Sequence, residues 1–320
     1  MFKKLVSAVS ALILPISAFC SCNAAPNSDD GKINVVCTIF PCYDWTREIA
    51  GDSENIDITY LLDDGSDLHS FQPTADDMIR ISDCDVFVYV GGVSDQWVDK
   101  ALENAVNKDM KVVRLMDSLS EFLEAGEHHH DEHEDEEHHE ESAYDEHIWL
   151  SLNNAQLCVN DIAAALSAVD SENSQTYSDR ANAYNTDLQL LDRSFHMMFD
   201  EKHQTMIFGD QFPFVYFTQD YGIDHFAAFS SCSADTEASF KTITQLAEKV
   251  DELNADTIFA IENSDCNIAE AIVSNTADKS QKIAILDSIQ SVNSQQIEEG
   301  YSYKSAMENN YNILKEVYSS

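Results

Sequence analysis

The chain has 320 residues, of which 18 are basic and 58 acidic, so its formal net charge is −40 at pH 7. A surface this negative repels nucleic acid and anionic lipid and attracts cations, which argues against a nucleic-acid-binding protein. Hydrophobic residues make up 44% of the chain, a normal share for globular protein, and the length allows two domains of ordinary size.

The N-terminus has the pattern of a secretory signal peptide. Lys3 and Lys4 form a short positive region, and the apolar run that follows, over residues 5–16, is too short to span a bilayer. We therefore predict a signal peptide over residues 1–21.

Cys22 follows a small residue, as does the cysteine to which bacterial lipoprotein processing attaches a lipid. We predict lipid attachment at Cys22 and a polar, flexible tether over residues 22–31. The alternative is ordinary secretion, with cleavage near Ala24 or Ala25.

The remaining cysteines show no CxxC spacing, so a structural zinc knot is not expected. Cys37, Cys84 and Cys158 lie in apolar segments and are predicted to be small core residues. Because an exported protein can form disulfides, Cys232 and Cys266 are a candidate pair.

Strand and helix patterns alternate in both halves of the chain. In the first half, strands are predicted at 33–40, 56–62, 86–90 and 111–115, with helices at 44–50, 74–82 and 95–106. In the second half, strands are predicted at 205–208, 225–229, 257–261 and 282–286, with helices at 214–221, 240–253, 268–275 and 303–317. This alternation predicts parallel sheets covered by helices on both faces.

One long helix is predicted between the halves. From residue 173 to residue 199, apolar residues recur at spacings of three and four, with no Gly or Pro inside, and Asp170 or Ser171 can cap the start. About 28 residues would extend roughly 42 Å. We predict an α/β fold with two lobes, each a mostly parallel four-stranded sheet flanked by helices, joined by this rigid helix.

The predicted organisation places an N-terminal lobe at 32–170, the linker helix at 171–200 and a C-terminal lobe at 201–320. The N-terminal lobe contains a segment at 127–141 built only of His, Asp and Glu. Imidazole is a common zinc ligand, and a segment without apolar residues can offer several weak sites but no preorganised one. Low-affinity metal contact is predicted at its six histidines, which are His128, His129, His130, His133, His138 and His139; a solvated acidic linker is the alternative.

Two of the other histidines lie where a strand gives way to a loop, the end at which open α/β folds bind ligands. His69 stands in a polar loop after the second strand, and His147 follows the His-rich segment directly. His196 and His203 flank the end of the long helix and are predicted to be surface residues. A structural role is favoured for His225, which opens a strand.

Several segments of the mature chain resemble the zinc and manganese solute-binding proteins of ABC importers, the ZnuA, AdcA and TroA type. The resemblance is carried, in order, by VVCTIFPCYDW, LLDDGSDLHSFQPT, YDEHIWLSLNNA, the long helix, FVYFTQDYGID, AILDSIQSV and YKSAMENNYNILKE. It implies two α/β lobes joined by one rigid helix, with a metal ion held in the cleft between them.

The resemblance also implies a set of metal ligands. His69 and His147 match the two ligands of the N-terminal lobe. In the C-terminal lobe Gly209 stands where a third His is expected, so Asp210 is the nearest candidate, and Asp287 matches a fourth, carboxylate ligand. Asp210 and Asp287 can equally be helix N-caps, and the set can be two His, Asp287 and a water. Glu262 is a candidate to steady an imidazole N–H.

Two imidazoles with two carboxylates suit zinc or manganese, and the usual order of affinities together with the His-rich segment favours Zn²⁺. The predicted function is capture of Zn²⁺ by an extracytoplasmic, lipid-anchored monomer and its delivery to an ABC permease with its ATPase. A manganese-binding member is the first alternative. A surface adhesin or zinc buffer is another, and a zinc hydrolase is disfavoured because HExxH and GxSxG are absent. No enzymatic activity is predicted.

Overall fold

The computed structural model of the protein describes residues 31–119, 144–200, 204–229 and 238–318. The predicted signal peptide, Cys22, most of the tether and the His-rich segment lie outside these residues, as do His203 and Cys232. Within the described ranges, no helix combines the length and the apolar character needed to cross a membrane.

Each half of the chain forms one parallel four-stranded sheet. The strands of the first sheet are β1 (Ile33–Cys37), β2 (Ile56–Tyr60), β3 (Val86–Tyr89) and β4 (Lys111–Arg114). Those of the second are β5 (Thr205–Phe208), β6 (Asp224–Ala227), β7 (Thr257–Ile261) and β8 (Lys282–Leu286). The strand orders, β2-β1-β3-β4 and β6-β5-β7-β8, follow the same pattern, and the predicted fold class is confirmed.

Helices flank both sheets. Those of the N-terminal half, which we take as β1 to α4, are α1 (Phe40–Ala50), α2 (Ala75–Asp83), α3 (Trp97–Glu103) and α4 (Leu152–Val169). The connecting helix is α5 (Ser174–Phe199). The C-terminal half, β5 to α10, contains α6 (Val215–Tyr221), α7 (Phe240–Leu253), α8 (Asn267–Asn275), α9 (Ser294–Glu298) and α10 (Tyr303–Tyr318).

Helix α4 was not predicted from the sequence. Its buried residues, Leu152, Ala155, Cys158, Val159, Ile162, Ala163 and Leu166, recur every three or four positions, which is the signature of an amphipathic helix. The hydroxyl of Ser151 caps it by accepting a hydrogen bond from the Asn154 amide at 3.0 Å. Helix α4 packs along α5 and so joins the connecting helix to the first sheet.

Helix α5 runs for 26 residues, about 39 Å at 1.5 Å per residue. Its predicted apolar stripe is buried from Tyr177 to Phe199. The helix begins after Asn173, later than expected, and Asp170 binds the side chains at its start instead of capping it. Its carboxylate accepts hydrogen bonds from the Tyr177 hydroxyl at 2.6 Å and the Asn173 side-chain amide at 2.8 Å.

One large hydrophobic core includes buried residues of both halves, and a smaller cluster lies within the C-terminal half alone. Cys37, Cys84 and Cys158 are buried in the large core, as predicted. Tyr303, at the start of α10, crosses between the halves, since its hydroxyl donates to the Trp149 carbonyl at 2.6 Å.

Loops at the carboxyl ends of the two sheets also meet. Asp64, after β2, forms an isolated antiparallel bridge with Asn293, after β8. Close by, the Tyr60 hydroxyl donates to the Val292 carbonyl at 2.9 Å. The carboxyl ends of parallel strands, where α/β folds place their ligands, are therefore brought together across the two halves.

Candidate metal centre

His69 lies in a single turn of 3-10 helix, Leu68–Ser70, between β2 and α2. The carboxylate of Asp67 begins this turn by accepting a hydrogen bond from the His69 backbone amide at 2.7 Å. Helix α2 then starts at a capping box formed by Thr74 and Asp77. The loop that carries His69 is thus fixed by local hydrogen bonds at both ends.

His147 lies directly before a second short turn, Ile148–Leu150, which leads into α4. The residue is only 2% exposed. The Asp145 carboxylate accepts hydrogen bonds from both the His147 backbone amide and its Nδ1, each at 2.8 Å. The indole of Trp149 packs edge-on against the imidazole, with ring centroids 5.1 Å apart.

The structure brings these two histidines together although 78 positions separate them in the chain. His69 Nε2 lies 3.2 Å from His147 Nε2. Two nitrogen ligands about 2.0–2.1 Å from a tetrahedral zinc ion lie about 3.3–3.4 Å apart, so the observed separation is close to one edge of a zinc tetrahedron.

A hydroxyl and a carboxylate hold the other side of the His69 ring. His69 Nδ1 lies 2.9 Å from Ser94 Oγ and 3.3 Å from Glu146 Oε2. The Ser94 hydroxyl and backbone amide both donate to Glu146 at 2.7 Å. Because the hydroxyl proton of Ser94 is used on Glu146, its oxygen accepts the proton of His69 Nδ1.

The Nδ1 atoms of both imidazoles therefore face oxygen acceptors, and their Nε2 atoms face each other. In the neutral form that binds a metal ion, a proton on Nδ1 leaves the Nε2 lone pair available. Carboxylate acceptors behind metal-binding histidines fix the ring and increase its basicity.

The two carboxylates beside the imidazoles, Asp145 and Glu146, have pKa values below the ordinary ones. Burial by itself raises the pKa of Asp145, but the charge and hydrogen bonds of His147 outweigh it and lower the pKa below its ordinary value. Burial likewise opposes ionisation of Glu146, while hydrogen bonds from His69 and Ser94 lower its pKa overall. Both groups are ionised at neutral pH and favour cations nearby.

A side chain of the C-terminal half also reaches the pair. Gln290, in the loop after β8, is 2% exposed, and its Oε1 lies 3.2 Å from His147 Nε2. In the same loop the Ser288 carbonyl accepts a hydrogen bond from the Trp149 indole at 2.8 Å. The site therefore lies where the loops of both sheets meet.

Asp287, predicted as a ligand, is held by donors of its own half. Its carboxylate accepts hydrogen bonds from the Tyr301 hydroxyl at 2.6 Å and the Ile289 amide at 2.9 Å. Burial raises its pKa. It is Gln290, three residues further along, that contacts an imidazole.

Glu262, after β7, does not steady an imidazole as the sequence suggested. It accepts hydrogen bonds from the Ser288 amide and hydroxyl, both at 2.6 Å. Burial, followed by the neighbouring charge of Asp287, raises the pKa of Glu262 to about 7. Its contacts hold the loop that carries Gln290.

Gly209 leaves no room for the imidazole that was expected there. A Cβ at this position would lie 2.5 Å from Ala269 Cα and 2.7 Å from its Cβ, because the end of β5 packs directly on α8. Asp210, the next residue, accepts hydrogen bonds from the Gln211 amide at 2.8 Å and the Ile261 amide at 3.3 Å.

A polar cavity of about 230 Å³, with room for several water molecules, lies next to Gln290. It is lined by Asp67, Asp210, Gln211, Ile261, Glu262, Asn263, Ser264, Gln290 and Ser291. Within the described ranges, no three or more His, Cys, Asp or Glu side chains are arranged to hold a metal ion. The structure thus gathers His69 and His147 but does not add Asp210 or Asp287 to them, and these two remain predictions as ligands.

The other predicted residues lie apart from the pair. His196 is at the end of α5, 3.8 Å from Asp192, and the ring of His225 stacks on Phe212 with centroids 4.0 Å apart. Cys266 is partly buried, and its proposed partner Cys232 lies outside the described residues, so the disulfide remains a prediction.

Sequence reasoning missed Ser94, Asp145, Glu146 and Gln290. The pair Asp145 and Glu146 could have been found, because two carboxylates directly before a candidate ligand are well placed to orient it. Ser94 and Gln290 carry no local signal, since each reaches a histidine only through the fold.

A family model described as "zinc-uptake complex component A, periplasmic" matches residues 35–317. The zinc-binding lipoprotein AdcA of Streptococcus pneumoniae is 30% identical over 289 residues, covering 90% of this chain and 56% of AdcA. The chain therefore spans little more than half the length of AdcA. The high-affinity zinc uptake system protein ZnuA of Bacillus subtilis is 28% identical over 320 residues, covering 99% of this chain and 98% of that protein.

Solved structures match as well. The Zn(II)-bound ZnuA-like domain of S. pneumoniae AdcA has a TM-score of 0.70 at 27% identity, covering 91% of this chain and 100% of that domain. A Zn(II)-bound mutant variant of S. pneumoniae AdcAII has a TM-score of 0.73 at 27% identity, covering 90% of this chain and 99% of that one. These relatives are binding proteins rather than enzymes, in agreement with the sequence prediction. With the family model matching most of its length, the chain belongs to the zinc-uptake complex component A (ZnuA) family.

Proposed function

We propose that this protein captures Zn²⁺ at His69 and His147, between its two halves, and delivers it to an ABC permease with its ATPase. The observation that carries the proposal is the pair of imidazoles, with Nε2 atoms 3.2 Å apart and oxygen acceptors at both Nδ1 atoms. This arrangement is suited to holding a metal ion.

Zinc is the proposed cargo for two reasons. Imidazole donors bind Zn²⁺ more tightly than Mn²⁺ in the usual order of affinities. Relatives with similar chains are named as zinc-binding or were solved with Zn(II). The acidic His-rich segment at 127–141 would gather zinc weakly near the site.

The proposed location is the outer face of the cell membrane, with a lipid on Cys22. It is supported by the signal-peptide pattern and by the name of AdcA, a lipoprotein. Delivery to a permease is supported by the description of the family as one component of an uptake complex. The division into a lobe at 32–170, a linker at 171–200 and a lobe at 201–320 belongs to the same proposal.

The test is zinc binding by the mature chain after removal of metal with a chelator. The wild type is expected to bind one Zn²⁺ tightly, in competition with an indicator of known affinity. Zn²⁺ at 100 times Kd should raise the free energy of unfolding by about 2.7 kcal/mol. The double variant His69→Ala/His147→Ala should lose both effects, whereas His196→Ala, at the end of α5, should keep them.

Unchanged tight binding by the double variant would refute the proposed site. Tighter binding of Mn²⁺ than of Zn²⁺ in the same assay would instead favour the manganese-binding alternative. Delivery is tested separately by the zinc-dependent growth of cells carrying either variant.

A further inference from the structure

The segment from Asp145 to Ser151, which carries His147, precedes α4 in the N-terminal half, yet the C-terminal half holds both of its ends. At its start, the Tyr216 hydroxyl of α6 donates a hydrogen bond to the Asp145 carbonyl at 2.9 Å. At its end, the Ser151 hydroxyl donates to the carboxylate of Asp220, on the same helix, at 2.6 Å. Helix α6 therefore contacts the segment on both sides of the imidazole.

The middle of this segment is also held by the C-terminal half. The Trp149 indole donates to the Ser288 carbonyl at 2.8 Å, and the Trp149 carbonyl accepts a hydrogen bond from the Tyr303 hydroxyl at 2.6 Å. Trp149 is fully buried and packs edge-on against the imidazole of His147. The C-terminal half thus fixes the aromatic neighbour of the ring at two points.

One residue of the segment faces the N-terminal half instead. Glu146 accepts hydrogen bonds from the amide and the hydroxyl of Ser94, and its carboxylate lies 3.3 Å from His69 Nδ1. The loop of His69 is held by Asp67, and its ring contacts Ser94, all within the N-terminal half. The N-terminal half therefore orients one imidazole, and both halves hold the segment that carries the other.

Tyr216 is placed to act on the His147 ring through Asp145. The Asp145 carboxylate accepts hydrogen bonds from the His147 backbone amide and from its Nδ1, while Tyr216 fixes the carbonyl of the same residue. Burial, followed by the charge of Asp145, raises the pKa of Tyr216, so its hydroxyl keeps its proton and donates. Groups that hold the acceptor behind a metal-binding histidine affect metal affinity without touching the metal.

We infer that the C-terminal half sets the position of His147 for metal binding, and that Tyr216 is a positioning residue that acts through Asp145. This inference rests on the proposed function. Without the Tyr216 hydroxyl, the segment should spend less time in the arrangement that binds the metal. The apparent affinity of a protein falls in proportion to the fraction that is competent to bind.

The experiment measures the Zn²⁺ affinity of the full mature chain by chelator competition after removal of metal. Tyr216→Phe keeps the ring and removes the hydroxyl, and it should weaken binding by about 3–10-fold. Tyr221→Phe is the matched control, because Tyr221 lies on the same helix and both residues are 7% exposed. The Tyr221 hydroxyl also donates at 2.9 Å, but to Asp192 of α5, so its removal should leave Zn²⁺ affinity within about 2-fold of the wild type.

A double-variant cycle tests whether Tyr216 acts through Asp145. In an Asp145→Asn background the hold on the imidazole is already weakened, so Tyr216→Phe should reduce affinity by a smaller factor than in the wild type. Urea unfolding of the metal-free variants measures the loss of stability. A merely structural role would lower stability without this coupling.

Wild-type affinity in Tyr216→Phe, an equal loss in Tyr221→Phe, or an undiminished loss in the Asp145→Asn background would overturn the inference. Each of these results leaves the proposed function standing, since the wild type would still bind Zn²⁺ through His69 and His147. Failure of the wild type to bind Zn²⁺ tightly would instead refute the proposed function, and the inference with it.

Discussion

In the N-terminal half of the site, the carboxylates of Asp145 and Glu146 contact the imidazoles of His147 and His69. In the C-terminal half, the carboxylates of Glu262 and Asp287 instead accept hydrogen bonds from residues of that same half. Interactions with histidine lower the pKa of Asp145 and Glu146 despite burial. Burial and mutual charge raise the pKa of Glu262 to about 7, and burial raises that of Asp287.

The two sheets have the same pattern of strand order, but the loops at their carboxyl ends differ in what their carboxylates bind. The loops of the N-terminal half orient the two candidate histidine ligands, and those of the C-terminal half place the Gln290 amide beside His147. A carboxylate that follows a strand can therefore hold the backbone of a loop, as Glu262 does, and its position alone does not identify it as a metal ligand. The predictions below test this division.

The largest effect is expected for Asp145→Asn. The neutral amide accepts more weakly from His147 and no longer raises its basicity, so Zn²⁺ affinity should fall by about 10–100-fold. Chelator competition measures it. Asp192→Asn is the matched control, because Asp192 stands beside His196 at the end of α5. Equal losses of affinity in both variants would mean that removing any negative charge weakens Zn²⁺ binding, whether or not the carboxylate contacts His147.

Gly209→Ala should affect stability rather than binding. The new Cβ would press on the backbone of Ala269, and overpacking of this kind costs about 1–3 kcal/mol. Urea unfolding of the metal-free protein measures the loss, and the Zn²⁺ affinity of the folded fraction should stay within about 3-fold of the wild type, a shift of well under 1 kcal/mol. A large fall in affinity without a loss of stability would place Gly209 in the site itself.

Gly92→Ala is the counterpart in the N-terminal half. A Cβ there would lie 2.1 Å from Glu146 Oε1, so the carboxylate that holds His69 and Ser94 must move. The expected result is a loss of Zn²⁺ affinity of about 10-fold with a smaller change in unfolding than in Gly209→Ala. Zinc titration and urea unfolding of the two glycine variants side by side give the comparison, and the reverse order of effects would contradict it.

The smallest effect on tight binding is expected from deleting residues 127–141. A flexible tract offers weak, alternative sites, so the deletion should remove weakly bound zinc and leave one tight Zn²⁺ per chain. Equilibrium dialysis at low and high zinc separates the two classes. Disappearance of the tight site would mean that the segment contributes ligands to it.

The sequence by itself predicted the two parallel sheets, the connecting helix and the histidine pair. The sheets and the helix follow from local periodicity, and the two histidines from the loops that carry them and from the resemblance to the family. His147, expected at a strand end, lies before the turn that leads into α4. Sequence reasoning missed α4, whose apolar period was present. Asp210 and Asp287 were predicted as C-terminal ligands from the resemblance to the family, and they remain predictions.

Only the tertiary structure decided which side chains meet the imidazoles. Gln290 reaches His147 because Glu262, Asn310 and the strained Ile289 turn the loop after β8. Glu262 and Asn310 hold that loop from positions 26 and 23 residues away in the chain. The close packing of β5 on α8 likewise explains Gly209, since no local pattern reveals which backbone will lie against it. Contacts between distant residues depend on how the sheets pack, and a single sequence encodes that packing only through the complete fold.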